Sequence, residues 1–279
     1  MKSQMQKTEE FRALHHGDHI LVLPNCWDVP SARVFEDAGF PAVATSSAGL
    51  MVSLGYPDGE AIGKGELFSA VAKIAKVLSV PLSADVVAGF GETPKDAAST
   101  IRSIIEAGAV GINIEDFVHA TKKLIPMEAQ VEKLKTIKQL GHSMDIPLVI
   151  NARTDALRYY PGDEVAKLEE AVRRAKAYRD VGVDCVYPMG LTDAMSISKF
   201  VKALNFPVNV MVRPGLPSVR ELERLGVARV SLGPTTSYAA MGLLKRIAKE
   251  LLEKGTYQTL LEGAITIDEL NKLALPKAQ

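Results

Sequence analysis

The chain has 279 residues, with 33 Lys plus Arg against 33 Asp plus Glu and a formal net charge of +0, a balance that argues against nucleic acid or an anionic membrane as its main partner. Two cysteines, Cys26 and Cys185, lie far apart and fit no zinc or thioredoxin spacing, which points to a reducing, cytoplasmic setting. The N-terminal run MKSQMQKTEEFRALHHGDH is too polar for a signal peptide, and no apolar stretch approaches the ~18 residues of a membrane span, so a soluble protein is expected.

One unit then recurs: a helical segment, often a glycine, an apolar run, and a polar loop. The apolar runs at residues 20–24 and 42–46 come first, the second ending at Ser46 and Ser47. A long loop follows, in which the turn-like GYPDGE carries Asp58. The run at 80–85 ends on Asp85, and Thr93 with Pro94 opens a helix to residue 107, threonine as N-cap and proline in the first turn. The run at 110–115 ends on Glu115 and Asp116, and the loop 117–126 after it carries His119, Lys122 and Lys123. The run at 146–151 ends on Asn151, with Arg153 two residues on; residues 163–181, rich in Ala, Glu, Lys and Arg, form an amphipathic helix with a solvated charged face. Runs at 183–187, ending on Tyr187, at 208–212 and at 229–233 complete the series. A helix at 237–254 and a helical tail at 256–275 close the chain.

Continuous Val, Ile and Leu without polar alternation suits parallel strands covered on both faces. Gly39, Gly108, Gly182 and Gly226 precede four of these strands, where the turn from helix to strand calls for positive φ. Eight such units in one domain, residues 1–279, predict an α/β fold of the (β/α)8 or TIM-barrel type with a C-terminal helical extension at 255–279. A doubly wound sheet is disfavoured because no glycine fingerprint follows the first strand. The apolar tail residues Leu260, Leu261, Ile265, Ile267, Leu270 and Leu273 have no ninth strand to cover, which predicts a homodimer or homotetramer.

In such a barrel the active site forms at the C-terminal strand ends. Ser46, Ser47, Asp85, Glu115, Asp116, Asn151, Arg153 and Tyr187 are therefore expected around one mouth, with Asp58 reaching it from its loop. Carboxylates gathered in an apolar setting imply a cation, and an arginine beside them an anionic ligand. Oxygen donors without a His/Cys cluster favour Mg2+, with Mn2+ able to substitute. His119 could act as acid or base, Tyr187 either donates to substrate or packs in the core, and the isolated His15, His16, His19 and His142 are expected at the surface.

The stretch NCWDVPSARVFEDAGFPAVATSSAGLMVSLGYPDGE, followed in order by SADVVAGFGET, GINIED and INARTDA, resembles the isocitrate lyase/phosphoenolpyruvate mutase superfamily from about residue 23 to about residue 233. The resemblance implies Mg2+-dependent cleavage or formation of a C–C or P–C bond beside a 2-oxo acid, and a last helix exchanged between subunits. It further implies Asp85 as direct metal ligand, Asp58 and Glu115 holding metal-bound waters, amide donors from Ser46, Ser47 and Ala48 for the substrate carboxylate, and Arg153 as its clamp, with Asn151 and Tyr187 completing the substrate site.

Two departures narrow the reading. The lyases carry a catalytic cysteine in a KKCGH-like loop after the fourth strand, where this chain reads HATKKLIPMEA; the family's second carboxylate after Asp85 is replaced by Val87. Catalytic candidates are thus Arg153, Lys122 and His119. The expected function is a Mg2+-dependent lyase or decarboxylase cleaving a C–C bond of a small 2-oxo or 2-hydroxy dicarboxylic acid through an enolate. Phosphonopyruvate hydrolase or phosphoenolpyruvate mutase activity through Lys122 or Lys123, and a non-catalytic carboxylate-binding member, are the alternatives. The short loop 117–126 predicts an open site and substrates of about four to six carbons.

Overall fold

The computed structural model describes residues 2–91 and 93–274. Eight parallel strands close into a barrel. They are β1 (Leu21–Leu23, resuming as Asn25–Cys26), β2 (Val43–Thr45), β3 (Leu82–Asp85), β4 (Gly111–Glu115), β5 (Val149–Thr154), β6 (Cys185–Pro188), β7 (Asn209–Met211) and β8 (Arg229–Ser231). Neighbours in space are neighbours in sequence, β2 through β6 pairing in order and β7 with β8. The ring closes where Leu21 pairs with Arg229 and where Val186 bridges Val208. Pro24 interrupts β1 because it has no N–H to give, while its carbonyl still accepts from the Ala44 amide at 2.9 Å.

The predicted strands are all present, with shifted bounds. The fifth begins at Val149 rather than residue 146 and runs to Thr154, so Asn151 lies inside the strand and not at its end. The loop 117–126 is a two-stranded hairpin, Phe117–Val118 against Lys123–Leu124, rather than an open loop. The predicted tail helix is broken into Gln258–Leu261 and Ile267–Ala274, with Gly263 at φ 71° between them; residues 275–279 lie outside the described residues. Its last part packs on helix Val29–Asp37 of the same chain, where Arg33 Nε donates to the Leu273 carbonyl at 3.0 Å. No helix among the described residues is long and apolar enough to cross a membrane.

The N-terminal helix Gln4–Ala13 plugs the lower end of the barrel. Phe11 packs with Leu21, Leu23, Ala42, Ala44, Val110 and Val149, and Gly111 has no side chain because a Cβ there would meet the Phe11 ring at 2.5 Å. His15, expected at the surface, is buried behind this plug: its Nδ1 bonds the Phe11 carbonyl at 2.8 Å, and burial lowers its pKa to about 3, so it is neutral. The barrel helices carry their caps in sequence; Asp28, Thr93, Asp163 and Asp193 each accept from the amide three residues on.

Candidate active site

Inward-facing residues alternate along every barrel strand, so Ser83 and Asp85 on β3, Asn113 and Glu115 on β4, and Arg229 and Ser231 on β8 share the interior. Above the plug they line a cavity of about 370 Å³ that also takes in Ser46, Ser47, Ala48, Asp58, His119, Arg153 and Tyr187. Most of the expected constellation is therefore assembled. Asn151, Lys122 and Asp116 are not part of the wall.

Asp85 stands on one side. Its Oδ2 accepts the Ser47 amide at 3.0 Å, its Oδ1 accepts Asn113 Nδ2 at 3.1 Å, and its own amide donates to Thr45 Oγ1 at 2.9 Å. Asn151, expected to touch substrate, is fully buried below the cavity and donates from Nδ2 to Asn113 Oδ1 at 2.8 Å; it orients the residue that orients Asp85. Ser46 caps the helix Ser47–Ser53, its Oγ accepting the Gly49 amide at 3.2 Å. Of the three amide donors expected for a substrate carboxylate, that of Ser46 donates to the Cys26 carbonyl at 2.9 Å and that of Ser47 to Asp85, which leaves the amide of Ala48.

Glu115 stands on the other side, 2% exposed, bound to His119 Nε2 at 2.5 Å through Oε1 and to Arg153 Nη1 at 2.7 Å through Oε2. Burial raises its pKa against the lowering effect of Arg153 and His119. Arg153 gives its other edge to Asp155, Nε at 2.7 Å and Nη2 at 2.9 Å. Burial, which disfavours its charge, is outweighed by these two carboxylates, so its pKa lies well above the usual value. The hydrogen bond that His119 gives to Glu115 raises its pKa despite partial burial. His119 opens the hairpin, edge-on to Phe117, which stacks on Tyr159 at 4.0 Å. Gly59, at φ 112°, lies where a Cβ would press on the His119 ring at 3.4 Å, and Asp58 precedes it on the exposed rim. Tyr187 reaches the cavity but gives its hydroxyl to Met189 Sδ at 2.6 Å, and burial raises its pKa.

Lys122 sits in the exposed hairpin turn at φ 55° and Lys123 beside it is exposed too; the turn faces solvent, so neither reaches the cavity. Asp116 is fully buried behind the strand ends, where it accepts the Asp155 amide at 2.8 Å, Tyr178 Oη at 2.7 Å and Arg174 Nη1 at 2.9 Å. It is a pillar under Arg153 rather than a ligand. Val87, at φ 52°, packs in the apolar core, so nothing replaces the second carboxylate. Residues the sequence reading missed are Asn113, two positions before Glu115 on the same strand face, and Arg158, Tyr159, Tyr238 and Arg229. The period of two could have found Asn113; nothing local marks the others.

For a divalent cation the donor set is sparse. Glu115 is committed to Arg153 and His119, and among the described residues no three His, Cys, Asp or Glu side chains converge as a cage. Asp85, with no cationic partner, fits Mg2+ held by a single direct carboxylate, the ion keeping water and substrate oxygens for its other positions.

The profile of the phosphoenolpyruvate phosphomutase family matches residues 11–252. The chain is similar to 2-methylisocitrate lyase of Aeropyrum pernix, 31% identical over 273 residues that cover 94% of this chain and 85% of the relative. A solved structure from Burkholderia cenocepacia J2315, provisionally named a lyase/mutase, superposes with a TM-score of 0.89 at 36% identity, covering 96% of this chain and 95% of that one. The structure of oxaloacetate acetylhydrolase with its product oxalate gives a TM-score of 0.85 at 25% identity, covering 96% and 94%.

Proposed function

Because the chain belongs to the phosphoenolpyruvate phosphomutase family, within the isocitrate lyase/phosphoenolpyruvate mutase superfamily of lyases and mutases, we propose that it cleaves a C–C bond of a small 2-oxo or 2-hydroxy dicarboxylic acid through an enolate, with Mg2+. The observation that carries this reading is the pairing, across one small cavity, of Asp85, a carboxylate free of cations, with the His119–Glu115–Arg153 cluster. The amide of Ala48 and the Arg153 guanidinium orient the substrate carboxylate, which fixes the scissile bond before reaction. Mg2+ at Asp85, when bound, would polarise the oxygen on which negative charge develops. His119, its charged form favoured by Glu115, holds a proton at Nδ1 for the departing fragment, while Glu115 keeps the ring oriented through Nε2. The Phe117–Tyr159 stack braces the hairpin whose turn brings His119 to the cavity wall.

Product analysis with oxaloacetate, 2-methylisocitrate and phosphonopyruvate tests the reading. Cleavage of oxaloacetate without phosphate release supports it; cleavage of 2-methylisocitrate alone, a tricarboxylate, would overturn the substrate class, and release of phosphate from phosphonopyruvate or no turnover of any of the three would replace the reading. The outward placement of Lys122 and Lys123 disfavours the phosphonate alternative.

His119→Gln should lower kcat about 10²-fold, the usual contribution of a positioned acid or base. The parent should lose kcat/KM as pH rises through the raised pKa of His119, because the protonated form is the active one, and the variant should lack that alkaline limb. A pH–rate profile unchanged in the variant would exclude the role.

We also propose a homo-oligomer, as the soluble state that covers the last helices. Of helix Thr235–Lys254 only Ser237 is buried, while Leu252 is 87%, Ile267 68% and Leu261 65% exposed. Light scattering at micromolar concentration should report a dimer or tetramer; a monodisperse monomer would contradict it. Whether the last helix is exchanged between subunits can be read from the same assembly by crosslinking across residues 235–254.

A further inference from the structure

The proposed reaction leaves a buried cavity cation unused. Arg229 opens β8, points inward and lines the cavity, yet it is 2% exposed. Its Nε and Nη1 have no hydrogen-bond partner among the described residues. The other guanidinium groups of the cavity are matched: Arg153 by Glu115 and Asp155, and Arg158 by Asp155 at 3.2 Å. Arginine does not shed its proton to escape burial, and a buried unpaired charge is costly. Burial lowers its pKa only to about 10, so it remains a cation at neutral pH.

The surroundings of Arg229 are polar and unsatisfied as well. Among the described residues Ser83 Oγ, Asn151 Oδ1 and Asn209 Oδ1 are also buried without partners on inward faces of the barrel, at a depth where barrels usually carry branched apolar side chains; the serine hydroxyl can donate to an anion, whereas the amide oxygens can only accept, from water or a guanidinium. Beneath lie the neutral His15 and the apolar plug around Phe11, neither of which supplies a negative charge. Asp85 is the carboxylate whose field reaches Arg229, and it is engaged by the Ser47 amide and Asn113 instead. A small anion arriving from the cavity would satisfy and neutralise the guanidinium.

We propose that Arg229 is a deep carboxylate subsite: it receives one carboxylate of a small dicarboxylate whose other end lies at the Ala48 amide and Arg153. The inference rests on the dicarboxylate reading above and adds a specificity-determining residue to it. A guanidinium presents a planar fork of donors that a carboxylate matches and a spherical halide does not. Monocarboxylates would fill one end only.

The test is calorimetric titration and thermal denaturation of the full-length protein with oxalate, malonate, acetate and chloride at fixed ionic strength, for the parent and for Arg229→Gln, Arg229→Met and Arg229→Lys. The parent should bind oxalate or malonate more tightly than acetate, and Arg229→Gln should weaken the dicarboxylate at least about tenfold. Without ligand, Arg229→Gln and Arg229→Met should melt at or above the parent's temperature, because an unpaired buried charge has been removed. Arg229→Lys, which keeps the charge and loses the fork, should bind with intermediate affinity, and it decides the matter if the neutral variants do not fold. Dicarboxylate affinity equal to the parent's in Arg229→Gln or Arg229→Lys would overturn the proposal, as would chloride reproducing the full thermal shift. Turnover separates the two readings. If Arg229-dependent binding occurs and no dicarboxylate is cleaved, the subsite stands and the lyase falls; if cleavage proceeds in Arg229→Gln with KM unchanged, the subsite alone falls.

Discussion

Asp85→Ala is expected to lower metal-dependent turnover about 10³-fold, which corresponds to ~4 kcal/mol of lost transition-state stabilisation. Asp85 is the strand-end carboxylate of the cavity directed at neutral donors, the amides of Ser47 and Val87 and Asn113 Nδ2, so it can take a cation without breaking an ion pair, as Glu115 cannot. Folding should change little. The donors it leaves behind face the cavity and can be met by water, so the loss is that of ordinary hydrogen bonds, ~1 kcal/mol. Asp85→Asn separates the two effects, since it keeps an acceptor for the Ser47 amide and removes the charge. Steady-state kinetics with varied Mg2+, alongside a melting curve, makes the measurement; full activity with unchanged metal affinity would remove Asp85 from the metal site.

Asp116→Ala should be the most damaging single substitution for stability, costing ~3–5 kcal/mol. The carboxylate is 0% exposed and holds Arg174 Nη1, the Tyr178 hydroxyl and the Asp155 amide at once. Its removal leaves the Arg174 guanidinium buried with Glu170 as its remaining carboxylate and leaves the Asp155 amide without an acceptor. Asp155 in turn holds Arg153, so the surviving folded fraction should also show a raised KM for the acid. Urea denaturation of parent and variant measures the first effect. A loss below ~1 kcal/mol would mean that Asp116 is not the pillar described here.

The contrast between Asp85 and Asp116 shows what can be read along the chain. Both are acidic residues ending an apolar run, and both were expected at the same mouth. Ser46, Asp85, Glu115, Arg153 and Tyr187 do meet at the cavity, because in a parallel barrel every strand end points the same way and side chains alternate with a period of two. Asp116 is the residue after Glu115, so the same alternation turns it away from the interior and toward Arg174 and Tyr178. Local periodicity therefore contained that distinction, and the expectation overlooked it.

Depth and pairing are different in kind. The barrel, its eight strands, the turn glycines and the ring of polar strand ends follow from the amino-acid sequence alone, because they depend on burial of continuous apolar runs and on backbone conformations set within a few residues. Only the tertiary structure decides that Asn151 lies beneath the cavity, that Lys122 faces solvent, and that Arg229 reaches the interior with Nε and Nη1 unpartnered among the described residues. The stagger of strands around the barrel sets the height of each inward side chain, and that stagger is a property of the closed ring rather than of any strand. Which charges neutralise one another depends likewise on distances of a few ångströms between residues far apart in the chain: Glu115 with Arg153, Asp116 with Arg174, and, among the described residues, no carboxylate with Arg229. Coulombic and hydrogen-bonding energies fall off over such lengths, so the identity of the free charges, and with it the chemistry of the site, is fixed only when the barrel closes.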